Sequence, residues 1–323
     1  MIISKTPLRI SFFGGGTDLK EYYSKEPGIV VSTAIDKYIY ITVNKRFDNS
    51  IRISYSKTEI VNDISEIQHP IVKEALKLVG IDGGMEITSI ADIPAKTGLG
   101  SSSTFTVGLL NALYAYKGIY VNAETLARQA CDIEIGILKE PIGKQDQYAA
   151  AYGGLNYIQF NNDETVFVNP IICSKETKEY FNKNLLLFYT GITRSAGEVL
   201  EDQKKNTANK MQNLDSMKTL VEDLRKILIE GRNLSKIGQK LNKSWLLKKD
   251  ISGKISNSFI DKRYDLALRN GAIGGKVLGA GGGGFLLFYC EPHNHKRLIN
   301  ALNDLKLVEF NFEPQGSKII FID

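Results

Sequence analysis

The chain has 323 residues, 43% of them hydrophobic and 24% charged, with a net charge of +5 at neutral pH. That length exceeds one ordinary core, so two domains are expected, in a composition ordinary for a soluble globular protein. Three scattered cysteines (Cys131, Cys173, Cys290) exclude a disulfide framework and no apolar stretch approaches the ~18–20 residues of a membrane helix, so a soluble protein of the reducing cytoplasm is expected.

In chain order, Met1 leads directly into a strand-like run, with no signal-peptide pattern, through Pro7-Leu8-Arg9-Ile10-Ser11-Phe12-Phe13 to three glycines, Gly14, Gly15 and Gly16, and then Thr17-Asp18. Taken alone this is a tight turn whose Asp18 caps Leu19–Tyr23; the functional alternative is that the glycines clear space for a ligand whose hydroxyls bond to Asp18. Residues 29–43 read as two strands, Val30–Ile35 and Tyr38–Val43, with Asp36-Lys37 as a hairpin-like junction. A strand over Ile51–Tyr55, a helix over Ile71–Val79 and a strand over Met85–Ser89 follow.

Next comes Pro94-Ala95-Lys96-Thr97-Gly98-Leu99-Gly100-Ser101-Ser102-Ser103, opening a helix over Thr104–Tyr116. Glycines let backbone approach an anion closely, serine hydroxyls add donors, and the helix turns its positive end toward the loop. The segment fails the Walker A spacing and the dinucleotide fingerprint, which leaves a third kind of phosphate loop. A serine cap accounts for one serine here, not for three after two glycines.

A helix over Ala123–Lys139 carries Glu134, and the break Pro141-Ile142-Gly143 presents Asp146 at a helix start, either as a plain cap or as part of a site. In a site, Glu134 and a loop serine would hold a metal, Asp146 would orient and accept the proton of an attacking hydroxyl, and Arg9 would offset the negative charge. Gly153-Gly154 returns the chain to a strand, Leu155–Phe160. A polar stretch over 161–183 marks the domain boundary, dividing the chain into residues 1–170 and 171–323.

Leu185–Tyr189 is a strand, and residues 195–270 are mostly helical. Between Lys204 and Arg263 there are 15 Lys and Arg against 6 Asp and Glu. No nucleic-acid motif accompanies that surplus, so it reads as a solvated helical face, and neither a nucleic-acid nor a membrane partner is expected. Gly279-Ala280-Gly281-Gly282-Gly283-Gly284 matches G-x-G-x-x-G, but a strand, Phe285–Tyr289, follows where the fingerprint needs a helix. The cluster is therefore a backbone wall beside a ligand or a helix-to-strand turn. A helix over Lys296–Leu305 and two strands close an α+β chain. His293 and His295 after Cys290 match no structural zinc pattern.

The three glycine clusters in this order, with Glu134 and Asp146 between the second and third, resemble the GHMP kinases along essentially the whole chain. The resemblance implies a two-domain α+β fold with the active site in the interdomain cleft, and ATP as phosphoryl donor with Mg²⁺. By matching position it implies an ATP site over Pro94, Lys96, Thr97, Gly98, Leu99, Gly100, Ser101, Ser102 and Ser103, a metal site at Ser102 and Glu134, and Asp146 and Arg9 as the catalytic pair. It places Gly16, Thr17, Asp18, Gly281 and Gly282 at the acceptor, where Gly279–Gly283 would form the cleft floor. Galactokinases carry Glu-His at Gly15-Gly16, and mevalonate kinases carry Lys where Arg9 stands. The string P-L-R-I-S-F-F-G-G-G-T-D, with Tyr189-Thr190-Gly191-Ile192-Thr193-Arg194, is similar to the D-glycero-D-manno-heptose 7-phosphate kinases of that family. Those enzymes phosphorylate the anomeric hydroxyl on a route to GDP-heptose for surface polysaccharide. Charge alone makes Arg194 and Lys20 candidates for the sugar's own phosphate. The alternatives are a fucokinase-like kinase of an unphosphorylated sugar and a catalytically silent regulator that binds ATP and sugar.

Overall fold

The computed structural model describes residues 1–193 and 197–323. Strand β1 (Ile2–Phe13) leads through the glycine turn to the short helix α1 (Lys20–Tyr23) and the long strand β2 (Gly28–Lys45). Strands β3 (Ile51–Ser54) and β4 (Thr58–Val61), helix α2 (Pro70–Val79), strand β5 (Met85–Ala91) and helix α3 (Ser101–Tyr116) follow. After α4 (Ala123–Cys131) and a π-helical stretch, Asp132–Ile137, come α5 (Gln145–Tyr152), β6 (Leu155–Phe160) and β7 (Val166–Pro170).

The second part holds α6 (Lys175–Lys183), β8 (Leu185–Tyr189), α7 (Gly197–Thr207), α8 (Met211–Glu230), α9 (Lys236–Lys249), α10 (Ser258–Arg269), β9 (Ala272–Val277), β10 (Phe285–Cys290), α11 (His295–Ala301), β11 (Lys306–Val308) and β12 (Lys318–Ile322). Among the described residues the strands form two sheets, one of eight strands with the path β12-β1-β2-β5-β3-β4, and one of four in the order β11-β8-β10-β9. Strand β12 returns to pair with β1, so the end of the chain completes the first sheet. One apolar core runs from Ile10 and Phe12 on β1 through Val107 and Leu110 on α3 to Leu187 on β8 and Leu224 on α8, which packs the two sheets into one body.

Two details position the site. The sequence suggests two strands over 29–43, whereas β2 is a single strand: its register against β1 jumps from Leu8↔Ile35 to Pro7↔Tyr38, so Asp36 and Lys37 bulge instead of closing a hairpin. The bulge redirects the strand, letting Gly28–Thr33 pair with β6 while Ile39–Lys45 pairs with β5. Likewise, the helix expected over Ala123–Lys139 remains α-helical only to Cys131 and widens to π geometry over Asp132–Ile137. One extra residue per turn rotates the following side chains, and such insertions are frequent at functional sites. Here the rotation carries Glu134 to full burial.

Candidate active site

A cleft of about 1030 Å³ lies between the two parts, walled by β1, the loops at 92–100 and 140–146, α7, α9 and the loop after β9. Arg9 is the pivot. Its backbone N–H donates to Leu99 O at 3.1 Å, which docks the glycine-serine loop against β1. Its guanidinium grips Asp146 through Nε–Oδ1 at 2.8 Å and Nη2–Oδ2 at 2.9 Å, and Nη1 donates to Gly98 O at 2.8 Å. A fork of this kind fixes a carboxylate in plane as well as in distance. Arg9 is 3% exposed and Asp146 24%, so the pair is anchored from inside and opens onto the cleft.

Gly100, with φ +77°, begins α3, and Ser101, Ser102 and Ser103 form its first turn beside Asp146. Ser102 Oγ donates to Glu134 Oε1 at 2.8 Å, and Gln147 Nε2 donates to Glu134 Oε2 at 2.8 Å. Burial pushes the Glu134 carboxyl up to about 7, although the Ser102 and Ser103 hydroxyls and the Gln147 amide pull the other way. A hydroxyl and a carboxylate side by side at a helix N-terminus fit a small hard cation whose remaining ligands are phosphate oxygens and water. Among the described residues no group of three or more His, Cys, Asp or Glu is arranged to hold a metal without such help.

Across from Asp146, Asp18 is not the helix cap that its position suggests: α1 has no side-chain cap, and Asp18 folds back to accept from Gly16 N at 2.8 Å and Gln145 N at 3.4 Å. Burial raises its carboxyl above the usual range, with the Asp146 charge adding to the rise. Gly143 makes room for it, since a Cβ there would lie 2.0 Å from Asp18 Oδ2. Thr17 plays a different part. Its buried hydroxyl donates to Gly14 O and Ile29 O and accepts from Ile29 N, tying the glycine turn to β2 away from the cleft.

The structure brings Arg9, Gly16, Asp18, Pro94, Lys96, Gly98, Gly100, Ser101, Ser102, Ser103 and Asp146 to the cleft wall, while Thr97 and Leu99 are buried behind it. Gly281 and Gly282 turn toward Ile255, whose carbonyl accepts from Gly282 N at 2.8 Å, and it is Gly279 and Ala280 that face the cleft. Gly279 lies against Gly98: a Cβ on Gly98 would meet Leu278 O at 2.5 Å, so the two glycine loops touch backbone to backbone. Lys20 pairs with Glu164 at 2.8 Å on the exposed surface, and Arg194 lies outside the described residues.

Sequence reasoning missed several neighbours. Lys248 of α9 and Lys276 of β9 are buried on the cleft wall, where burial lowers the Lys248 amine to about 8 and takes Lys276 well below the ordinary lysine range. Lys276 donates to Ser11 O and Phe12 O at 2.9 Å each, pinning the end of β1. Lys248 corrects the reading of the basic segment as a purely solvated face: it lies at helical spacing from Ile237, Leu241 and Ser244 on the buried stripe of α9. An aromatic cluster also lines the cleft: His69 stacks on Phe105 with ring centres 5.1 Å apart and meets Tyr55 edge-on at 4.7 Å, and Ile39, Ile71 and Ile93 line the same cleft.

Comparison with known proteins points to one family. The GHMP kinases N-terminal domain matches residues 69–154 and the GHMP kinases C-terminal domain matches residues 220–306. A D-glycero-alpha-D-manno-heptose 7-phosphate kinase of Campylobacter jejuni is 34% identical over 98% of this chain and 98% of its own length. An L-fucokinase/L-fucose-1-P guanylyltransferase of Bacteroides fragilis is 26% identical over 99% of this chain, which spans 38% of that protein. The crystal structure of a D-glycero-D-manno-heptose 1-phosphate kinase from Bacteriodes thetaiotaomicron superposes with a TM-score of 0.84 at 26% identity, covering all of both chains.

Proposed function

The chain belongs to the GHMP kinase family, an α+β two-domain fold using ATP as co-substrate, and from that premise we propose that it phosphorylates the anomeric hydroxyl of D-glycero-D-manno-heptose 7-phosphate to give the 1,7-bisphosphate. The observation that carries this reading is the Arg9–Asp146 fork beside Gly100, which holds a carboxylate next to a phosphate loop. The full-length likeness to the Campylobacter jejuni heptose 7-phosphate kinase supports the choice of sugar.

In this reading the base of ATP enters the apolar end formed by Tyr55, His69 and Phe105, and the phosphates lie along Pro94–Ser103 at the N-terminus of α3. Ser102 and Glu134 would hold Mg²⁺ together with phosphate oxygens, and the ion when bound neutralises charge on those oxygens. Asp146, aligned by Arg9, orients the acceptor hydroxyl and takes its proton. Asp18 accepts from sugar hydroxyls on the same wall. The Ser11 hydroxyl and Gln145 Oε1, both buried there without a partner among the described residues, give the sugar two more polar contacts. Gly16 lines the same wall, where a Cβ would meet Gln203 Nε2 at 2.4 Å, and Thr17 holds the turn behind it.

The test is ³¹P NMR of the protein with Mg-ATP and the heptose 7-phosphate. The expected result is a new anomeric phosphate resonance with one ADP formed per sugar consumed. ADP formed only with unphosphorylated sugars would replace the heptose reading with a fucokinase-like one. ATP binding without turnover on any sugar would replace both with a silent regulator.

A further inference from the structure

Lys248 has no place in the mechanism above. It is 5% exposed, yet lies on the cleft wall, and among the described residues no carboxylate pairs with it. Its one hydrogen bond among them runs from Nζ to Gly279 O, at the point where the third glycine loop touches Gly98 of the phosphate loop. An ammonium has three N–H donors, so two remain directed elsewhere. The charged groups around it come from every packed element: Asp18 behind β1, Arg9 on β1, Asp146 on α5 and Lys276 on β9.

Arg9, another cation at this junction, is already paired with an anion. Arg9 spends Nε and Nη2 on Asp146 and Nη1 on Gly98 O, so the fork largely cancels its charge. Lys248 is held by a carbonyl, a dipole rather than an anion, so among the described residues no paired carboxylate cancels the charge of its protonated form. Phosphoryl transfer passes through a loose state whose negative charge spreads over three equatorial oxygens, and a fixed cation in a site screened from water acts strongly on such charge.

We propose that Lys248 is a catalytic residue that donates hydrogen bonds to the equatorial oxygens of the phosphoryl group as it passes from ATP to the acceptor. The inference rests on the kinase reading above. In the step, the bond between the acceptor oxygen and the γ-phosphorus forms and the bond from that phosphorus to the β–γ bridging oxygen breaks. The acceptor proton goes to Asp146, ADP leaves, and Lys248 keeps its proton throughout.

The experiment compares the full-length parent with Lys248→Met and Lys248→Arg, using whichever sugar the ³¹P measurement establishes. Lys248→Met should lower kcat by at least ~100-fold while the KM of each substrate moves less than about threefold. Lys248→Arg should restore much of the rate. The parent should also lose activity as pH rises through about 8, where its amine gives up the proton, and Lys248→Arg, which stays charged, should lack that limb. A Lys248→Met enzyme with kcat within about threefold of the parent overturns the proposal. So does an unchanged limb near pH 8 in Lys248→Arg, a result that decides the matter even if the Met variant does not fold. A parent that consumes no ATP with any sugar overturns the kinase reading itself, whereas an active parent with an active Met variant overturns only the role of Lys248.

Discussion

The glycine-serine wall of the cleft, the contiguous end of the site in sequence terms, is one unbroken stretch of chain, Pro94 to Ser103, whereas the end around Asp146 is gathered from β1, the turn behind it, α5, α9 and the loop after β9. In the first, neighbours along the chain keep the backbone donors in place, and a single side chain can be lost without moving the rest. In the second, each polar group is held by another: Arg9 by Gly98 O and Asp146, Asp18 by the amides of Gly16 and Gln145, Lys248 by Gly279 O. The contrast separates two kinds of substitution. Changes in the loop should weaken one ligand contact, and changes in the gathered end should disable the reaction or unseat a partner.

The sharpest break of the gathered end is Asp146→Asn. It keeps the shape of the side chain but loses the proposed base and the charge of the Arg9 fork, so kcat should drop by about 10²–10⁴-fold with ADP affinity nearly unchanged, read by steady-state kinetics and calorimetry. On the loop side, Glu134→Gln removes a charge facing Ser102. The Mg²⁺ concentration for half-maximal rate should rise by roughly 10–100-fold, the worth of one charge-assisted contact, with the sugar KM unmoved.

Adjacent residues 17 and 18 refine the comparison. Thr17→Val leaves the buried Ile29 amide without its acceptor and should cost about 1–3 kcal/mol in urea unfolding while sparing the sugar KM. Asp18→Asn should instead raise the sugar KM. The smallest effect is in pH. Burial raises the Asp18 carboxyl above its ordinary 3.8, so the folded state holds a proton that the unfolded chain has released. Ligand-free parent should therefore lose stability relative to Asp18→Asn as pH climbs from about 4 through the raised value, and then run parallel to it. A difference between the two urea midpoints that stays constant across that range would contradict the assignment.

The contiguous end was legible because its chemistry is local: glycines and serines in sequence must become neighbours in space, and a helix must follow. Glu134 and Asp146 were legible as acidic residues near helix breaks, and Arg9 as a charge inside an apolar strand. The gathered end was legible only in part. The apolar runs on either side of Asp36-Lys37 look the same whether they form a hairpin or one bulged strand, since the difference lies in whether β5 and β6 take separate halves of β2. Gly281 and Gly282 could not be told from Gly279 and Ala280 by composition, because facing the cleft or facing Ile255 depends on where the 251–257 segment passes.

By itself, then, the sequence determined the glycine-serine loop, the helix it opens, the strand that carries Arg9 and the α+β alternation, all properties of short stretches governed by backbone freedom and apolar period. The tertiary structure alone decided which lysine of a basic helix turns inward and what it meets there. Residues 236–249 carry several lysines at helical spacing, and only the packing of α9 against the second sheet leaves Lys248 under Gly279 while Lys243 stays in water. An amine's charge acts through the dielectric around it and the partners within a few ångströms, and for Lys248 those partners lie as far off in the chain as Arg9.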